Sequence, residues 1–199
     1  MVLSNDRIFA YLHGLAMFLA WGVLGTVSIV SARRRTKTDK WFPWHWVVAL
    51  CTVILSVAGL VFAIGGKNWA LITWDWDHKF IGVFIVSAAC LQALTGLMAH
   101  CLWNPSAHRT TLLEYFHAII GRGTWLVSIY QMYTGVSALA SEQDWDAATR
   151  TGVVGAYIFY MGLCLSLFVF ADVSGHDSSK AAAPNGYSGQ LQNVSEEFA

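Results

Sequence analysis

The sequence predicts an all-α membrane protein with five transmembrane helices, a four-helix bundle plus a fifth helix. Apolar residues make up 56% of the 199 residues and charged residues 12%, whereas about a quarter of a typical soluble domain is charged. The apolar residues are gathered into five stretches, each long enough for the about 20 residues with which a helix crosses a bilayer. These stretches are 8–31, 43–64, 80–101, 112–139 and 152–171.

Composition also excludes several classes of protein. Twelve Lys and Arg balance twelve Asp and Glu, so no overall positive field exists to attract nucleic acid. Four cysteines in a chain of this length are too few for a disulfide scaffold. We expect no internal repeat of fixed period. The expected domains are a short outer N-terminus at 1–7, a four-helix core at 8–139, an outer loop with the fifth helix at 140–172, and a flexible cytosolic tail at 173–199.

The distribution of basic residues predicts the orientation in the bilayer. The link 32–42 is strongly basic, and the link 102–111 adds Arg109, whereas the opposite links are mainly acidic. Because Lys and Arg in short loops mark the cytosolic side, the N-terminus is expected outside and the C-terminus in the cytosol. The first stretch is too long for a signal peptide and has no small-residue cleavage site after it, so we expect it to be retained. Which membrane holds the protein is not determined by the sequence.

Four histidines lie in or at the edge of the first four stretches, one in each. They are His13, His45, His78 and His117. An ionisable side chain inside a membrane indicates function by default, since its burial in lipid is costly. A single histidine is more often interfacial or hydrogen-bonded to its surroundings, so it is their distribution that carries the argument.

Consecutive helices run in opposite directions, and this predicts two levels of histidines. His13 and His78 enter from the outer side and share an outer level, whereas His45 and His117 enter from the cytosol and share an inner level. The levels are expected to be roughly 15–20 Å apart within a hydrocarbon core of ~30 Å. Two pairs stacked across a membrane suit two bis-histidine haems.

The residues one turn along from each histidine are small, namely Ala16, Ala49, Gly82 and Gly121. Missing side chains would leave room for a flat macrocycle, although small residues also serve simply to pack membrane helices closely. A zinc site is disfavoured because neither level combines cysteines or carboxylates with its histidines. A histidine relay for protons is a further alternative, but it would not need pairs at matched depths.

The sequence around these histidines resembles the haem-binding core of the cytochrome b561 superfamily, over about residues 10–140. It is most similar to the DOMON-linked branch that includes ferric-chelate reductase-like proteins. The segments that carry the resemblance are HGLAMFLAWGVL, WFPWHWVVAL, DHKFIGVFIVSAACLQALTG and EYFHAIIGRGTW. Histidine followed by Gly-Arg, in the last of these, is the most specific fragment.

The resemblance implies two b haems, bound between helices one and three and between helices two and four. It implies a transmembrane oxidoreductase that passes one electron at a time from a cytosolic donor, with ascorbate a candidate, to monodehydroascorbate or a ferric chelate outside. We expect no DOMON domain, because about seven residues precede the first helix. The alternative is a non-catalytic subunit that anchors or wires a larger redox complex. Partners are therefore the lipid bilayer and either small molecules or a redox protein, and a homodimer or larger complex is left open.

Two basic residues are second-tier candidates for binding the cofactor. Arg122 lies well inside the fourth stretch, where a charge costs about 2.5–3.5 kcal/mol, and a haem propionate would be a suitable partner. Glu114 or backbone carbonyls are the alternative partners. Lys79 follows His78 at the outer mouth, where it could bind a propionate or an anionic substrate, or extend into the interface. His100 and His108 are interpreted as interfacial, and His176 as part of the solvated tail.

Overall fold

The computed structural model describes residues 5–33, 41–66, 78–102 and 112–181, and these ranges form five long helices. Helix α1 covers 5–33 and consists of Asn5–Met17, a π-helical segment Phe18–Gly25, and Thr26–Arg33. The other helices are α2 at Trp41–Gly65, α3 at His78–Cys101, α4 at Leu112–Glu142 and α5 at Ala147–Ala181. The five predicted apolar stretches thus each lie in one helix, which confirms the all-α architecture.

Polar and apolar side chains are distributed as in a membrane protein. Many large apolar side chains are exposed, among them Phe159 at 77% and Leu112 at 70%. Small polar side chains are buried instead, including Ser56, Ser128 and Gln131. Soluble proteins show the opposite distribution. The pattern therefore suits a bundle surrounded by lipid, where polar groups must find partners inside the protein.

Within the described ranges, four segments are long and apolar enough to cross a membrane, Arg7–Ala32, Phe42–Gly65, His78–Cys101 and Ala147–Phe170. The remaining helix, α4, is longer than each of these four segments but less apolar. Its sequence includes Glu114, Arg122 and Gln131. These polar groups lower its hydropathy, and one of them, Gln131, belongs to the candidate site described below.

Helix α1 packs against α2, α4 and α5. It packs against α2 along its whole length, while α3 packs mainly against α4, and α5 covers α1 and α4. One buried cluster consists of Ala20, Trp21, Ile85 and Ala89, on α1 and α3. A second joins α4 to α5 through Trp125, Met161 and Cys164.

The π-helical segment of α1 contacts α5. In it, the Gly22 carbonyl accepts hydrogen bonds from the Thr26 hydroxyl at 2.8 Å and from the Tyr160 hydroxyl at 3.2 Å. Gly22 and Gly25 are both buried, and a Cβ on Gly22 would approach the Phe18 ring to 3.1 Å. A π segment widens the helix and releases carbonyls from the regular ladder, and here those carbonyls hold the fifth helix.

The boundaries of α5 differ from the expected ones at both ends. It begins at Ala147 because Asp146 caps it, accepting hydrogen bonds from the Ala148 and Thr149 amides at 3.0 Å each. It continues to Ala181, although a flexible tail was expected from residue 173. The next proline is Pro184, so no proline interrupts the helix before it ends. The basic link 34–40, Arg109 and His108 lie outside the described residues.

Candidate functional site

Two pairs of histidine rings face each other inside the bundle, in the combinations that helix direction predicted. His13 on α1 and His78 on α3 have ring centroids 6.0 Å apart and ring planes at 88°. His45 on α2 and His117 on α4 have centroids 6.3 Å apart and planes at 86°. Two separate pairs with nearly the same distance and angle indicate one kind of site built twice.

The spacing within each pair fits one metal ion between the two rings. A metal–imidazole bond is about 2.0–2.1 Å and a ring centre lies about 1 Å beyond its nitrogen, so centroids across one ion are about 6 Å apart. No three His, Cys, Asp or Glu side chains in the described part of the chain come together as a possible metal cluster. Each pair offers two ligands, which is the number that iron held by four porphyrin nitrogens still requires.

Backbone carbonyls orient the two histidines of α1 and α2. The Nδ1 atom of His13 donates to the Gly59 carbonyl of α2 at 2.8 Å. The Nδ1 atom of His45 donates to the Ser28 carbonyl of α1 at 3.0 Å, with the Ser28 hydroxyl also at 3.1 Å. A carbonyl can only accept, so the proton in both bonds belongs to Nδ1.

Threonine hydroxyls orient the two histidines of α3 and α4. The Nδ1 atom of His78 lies 3.0 Å from Thr134 Oγ1, and this hydroxyl donates its own proton to the Gln131 carbonyl at 2.8 Å. The Nδ1 atom of His117 lies 3.4 Å from Thr95 Oγ1, which donates to the carbonyl and amide oxygens of Gln92. Each hydroxyl has used its proton, so it accepts from the imidazole.

These oxygen partners favour the same tautomer, with the proton on Nδ1, in all four imidazoles. With the proton on Nδ1, the Nε2 atom carries the lone pair that a metal binds. An oxygen acceptor on the far ring nitrogen is the usual support of a ligating histidine, because it fixes the ring and raises its basicity. The geometry and the tautomers together fit two iron porphyrins, each with two axial imidazoles.

The antiparallel packing of α3 and α4 sets the distance between the two levels. The amide of Gln92 donates to the His117 carbonyl at 2.6 Å, so residue 92 of α3 lies at the inner level. His78 begins the same helix 14 residues earlier, which is about 21 Å along a helix axis. The His117 ring lies beside Gly96, four residues further along α3, so the separation is at least this value, more than the predicted roughly 15–20 Å, with one pair toward each end of the bundle.

The four small residues lie near the pairs, but glutamines fill the space beside the glycines. A Cβ on Gly121 would lie 2.5 Å from Gln92 Nε2, and one on Gly82 would lie 3.6 Å from Gln131 Nε2. Both glutamine amides donate to the carbonyl of a histidine, His117 and His78 respectively. Ala16 is buried and Ala49 half-buried. The two glycines thus leave space for the glutamine side chains that bind the histidine carbonyls. That the four small residues also contact a macrocycle stays a prediction.

The remaining candidates are two basic residues and His100. Lys79 is exposed in the first turn of α3, and Arg122 is half-buried on α4. The His100 ring stacks on Phe42, with centroids 3.9 Å apart and planes at 18°. This places His100 in an aromatic contact near the inner end of α3, in agreement with its interpretation as interfacial.

Sequence reasoning missed the acceptors behind the imidazoles. Gly59 and Ser28 act through backbone carbonyls, which any residue type could supply, so no sequence signal marks them. Thr95 and Thr134 were detectable, because each occurs in the same short pattern, Gln-x-x-Thr-Gly.

Comparison with known proteins gives a family match over most of the site. The family model described as eukaryotic cytochrome b561 matches residues 12–142, a range that includes all four histidines. No match was found among solved structures.

Several curated proteins are similar to this chain. A cytochrome b561, DM13 and DOMON domain-containing protein of Arabidopsis thaliana is 26% identical, covering 74% of this chain and 17% of its own length. Ferric-chelate reductase 1 of Homo sapiens is 21% identical over 78% of this chain and 27% of its own length. A cytochrome b561 domain-containing protein of Arabidopsis thaliana is 24% identical over 85% of this chain and 65% of its own length. The chain thus spans less than two thirds of each of these relatives.

Proposed function

Since the chain belongs to the eukaryotic cytochrome b561 family, a family of transmembrane electron-transfer proteins, we propose that it binds two b haems and carries single electrons across its membrane between them. His13 and His78 are the axial ligands of the outer haem, and His45 and His117 those of the inner haem. The family match gives the class of activity, while the number of haems and the ligands are the proposal.

One observation supports this assignment above the others. The two ring pairs have centroids 6.0 and 6.3 Å apart, and each ring has an oxygen atom within 3.4 Å of Nδ1, which leaves Nε2 for a metal. A bundle that used these histidines only for packing would have no need for matched spacings at two depths. A proton relay would need a continuous series of exchangeable groups, whereas the levels lie about 21 Å apart.

When bound, haem b supplies an iron that alternates between ferric and ferrous states and so takes up and passes on one electron. The residues of the chain set the conditions for that exchange. The histidines fix the depth and orientation of each site, and the oxygen acceptors behind them favour the ferric state by raising ligand basicity. The buried cluster of Ala20, Trp21, Ile85 and Ala89 fills the bundle between α1 and α3, which excludes water from this part of the interior.

The proposed direction is outward. The basic links predict a cytosolic inner level, with the N-terminus outside and the C-terminus in the cytosol. A cytosolic donor such as ascorbate would reduce the inner site, and monodehydroascorbate or a ferric chelate would be reduced at the outer site. Relatives named ferric-chelate reductase favour the iron substrate.

Two basic residues are proposed to bind the haem propionates. Arg122 is half-buried in α4, and its guanidinium suits the carboxylate of a propionate. Lys79 is exposed beside His78 and suits a propionate at the outer level. Contact with the macrocycles is proposed for Ala16 and Ala49, whereas the space beside Gly82 and Gly121 is taken by the Gln131 and Gln92 side chains.

Reconstituted vesicles provide the test of this function. The purified chain is inserted into liposomes that contain ascorbate, and a ferric chelate is added outside. We expect the chelate to be reduced only in vesicles that contain the protein, and we expect His13→Ala and His117→Ala each to abolish the reaction. His100→Ala is the matched control and should retain it, since His100 stacks on Phe42 outside both pairs.

Three results would overturn or redirect the proposal. A chain that purifies without haem would refute it. Transfer that survives all single replacements of the four histidines would show that the ligands are assigned wrongly. Haem binding without transfer, together with copurification of a redox protein at fixed stoichiometry, would favour the alternative of a subunit that wires a larger complex.

A further inference from the structure

Helices α3 and α4 contain the same pattern of five residues, although no repeat was expected from the sequence. The pattern is histidine, glycine four residues later, and Gln-x-x-Thr-Gly beginning ten residues after that glycine. It occurs as His78, Gly82, Gln92, Thr95 and Gly96 in α3, and as His117, Gly121, Gln131, Thr134 and Gly135 in α4. The two copies are displaced by 39 residues at all five positions.

The two copies interact with each other reciprocally. Gln131 and Thr134 of α4 bind the carbonyl and the Nδ1 atom of His78. Gln92 and Thr95 of α3 bind the corresponding atoms of His117. Because the helices are antiparallel, the end of each copy lies beside the histidine that begins the other, which gives the pair a local two-fold relation.

The glycine that ends each copy completes the relation. A Cβ on Gly135 would lie 2.8 Å from Cε1 of His78, and a Cβ on Gly96 would lie 2.8 Å from Cε1 of His117. Real Cβ atoms essentially never approach another heavy atom so closely, so each imidazole rests directly on the backbone of the opposite helix. The histidine is thereby held by an amide, a hydroxyl and a glycine that all belong to the other copy.

We infer that α3 and α4 form an inverted repeat in which each helix carries the ligand of one haem and the threonine that positions the ligand of the other. Thr134 is the positioning residue of the outer haem and Thr95 that of the inner haem. This inference rests on the proposed haem ligation. Each threonine should therefore have a large effect on the haem whose ligand lies on the opposite helix. Its effect on the haem whose ligand lies on its own helix should be small.

The structure also distinguishes the two copies. The Thr134 hydroxyl lies 3.0 Å from His78, whereas the Thr95 hydroxyl lies 3.4 Å from His117. The amide oxygen of Gln92 accepts the Thr95 proton, whereas the amide oxygen of Gln131 is buried and has no partner in the described part of the chain. The closer hydroxyl makes the stronger bond, so removal of Thr134 should have the larger effect.

The test replaces each threonine with valine, which keeps the shape and removes the acceptor. Loss of the acceptor lowers imidazole basicity and weakens the ferric form relative to the ferrous one. We expect Thr134→Val to raise the midpoint potential of the His78 haem, by about 59 mV for each tenfold loss of ferric preference in a one-electron couple. Thr95→Val should raise that of the His117 haem by a smaller amount. The potentials are read from spectroscopic redox titrations, and His78→Ala and His117→Ala identify which haem is which.

Three further variants serve as controls. Thr134→Ser and Thr95→Ser retain the hydroxyl and should restore the original potentials. Thr52→Val removes another buried hydroxyl, which donates to the Val48 carbonyl at 2.9 Å, and it should leave both potentials unchanged. If a valine variant does not assemble, the alanine variant of the same threonine replaces it in the titration.

The outcomes separate this inference from the function on which it rests. A shift at the haem of the facing helix alone supports the reciprocal arrangement. Two bound haems with unchanged potentials, equal shifts at both haems, or a shift at the ligand on the threonine's own helix would overturn it while leaving the two-haem proposal intact. Absence of haem from the wild-type chain would instead refute the proposed function.

Discussion

Replacing Gly135 with alanine should selectively weaken the outer haem. The added Cβ would lie 2.8 Å from Cε1 of His78, whereas carbon atoms in contact prefer about 3.5–4.0 Å. The ring must therefore move by roughly 0.7 Å or more, which exceeds the about ±0.2 Å that a metal–ligand distance tolerates. Excess packing of this kind typically costs about 1–3 kcal/mol, and tenfold in affinity corresponds to about 1.4 kcal/mol. The outer haem should bind about 5- to 150-fold more weakly.

The assay is haem titration of the apoprotein, with occupancy quantified per polypeptide. Gly135→Ala should leave the inner haem at full occupancy, and Gly96→Ala should show the reverse pattern. Gly123→Ala provides the matched control on the same helix as Gly135, because a Cβ there would meet nothing within 4 Å. Normal binding of both haems by Gly135→Ala, or selective loss of the inner haem, would refute the assigned packing of His78 on α4.

Three other predictions concern the remainder of the bundle. The Asp146 carboxylate caps α5, and its hydrogen bond from the Thr149 side chain lowers its pKa. The cap therefore stabilises the fold above the unfolded pKa of about 3.9, and this stabilisation is lost as the pH falls through the folded pKa. The difference in unfolding free energy between wild type and Asp146→Ala should vanish in acid. A difference that persists in acid would contradict the cap. Trp125 is 1% exposed and donates to Thr26 at 3.1 Å, so Trp125→Phe should cost about 1 kcal/mol and Trp125→Ala about 3–5 kcal/mol in detergent unfolding, whereas near-zero costs would contradict its packing. His100→Ala should retain both haems by absorption spectroscopy, and loss of either would require a new ligand assignment.

The helices were predictable because long apolar stretches leave few alternatives to spanning helices. The polar residues of α4 lowered its hydropathy, but its length and flanking links still identified a helix. The pairing of His13 with His78 and of His45 with His117 followed from alternating helix direction alone. The start of α5 depended on the Asp146 cap, which lies several residues before its apolar stretch.

The supports of the histidines were not predictable in the same way. The hydrogen bonds to Gly59 and Ser28 depend on the register between α1 and α2, and backbone acceptors leave no mark in a sequence. The π segment of α1 also changes the register between α1 and α2. Ser28 lies 15 residues after His13 on α1, whereas Gly59 lies 14 residues after His45 on α2. The recurrence of the pattern in α3 and α4 was not predicted, because five matching positions in a span of 19 residues are inconspicuous until the two helices are seen packed together.

The most direct test of the central claim is the number of haems per polypeptide in four single histidine variants. We predict two b haems in the wild-type chain. Replacement of His13 or His78 should remove one haem, and replacement of His45 or His117 should remove the other. One haem in the wild-type chain, or variants that group in any other pairs, would contradict the two-level account.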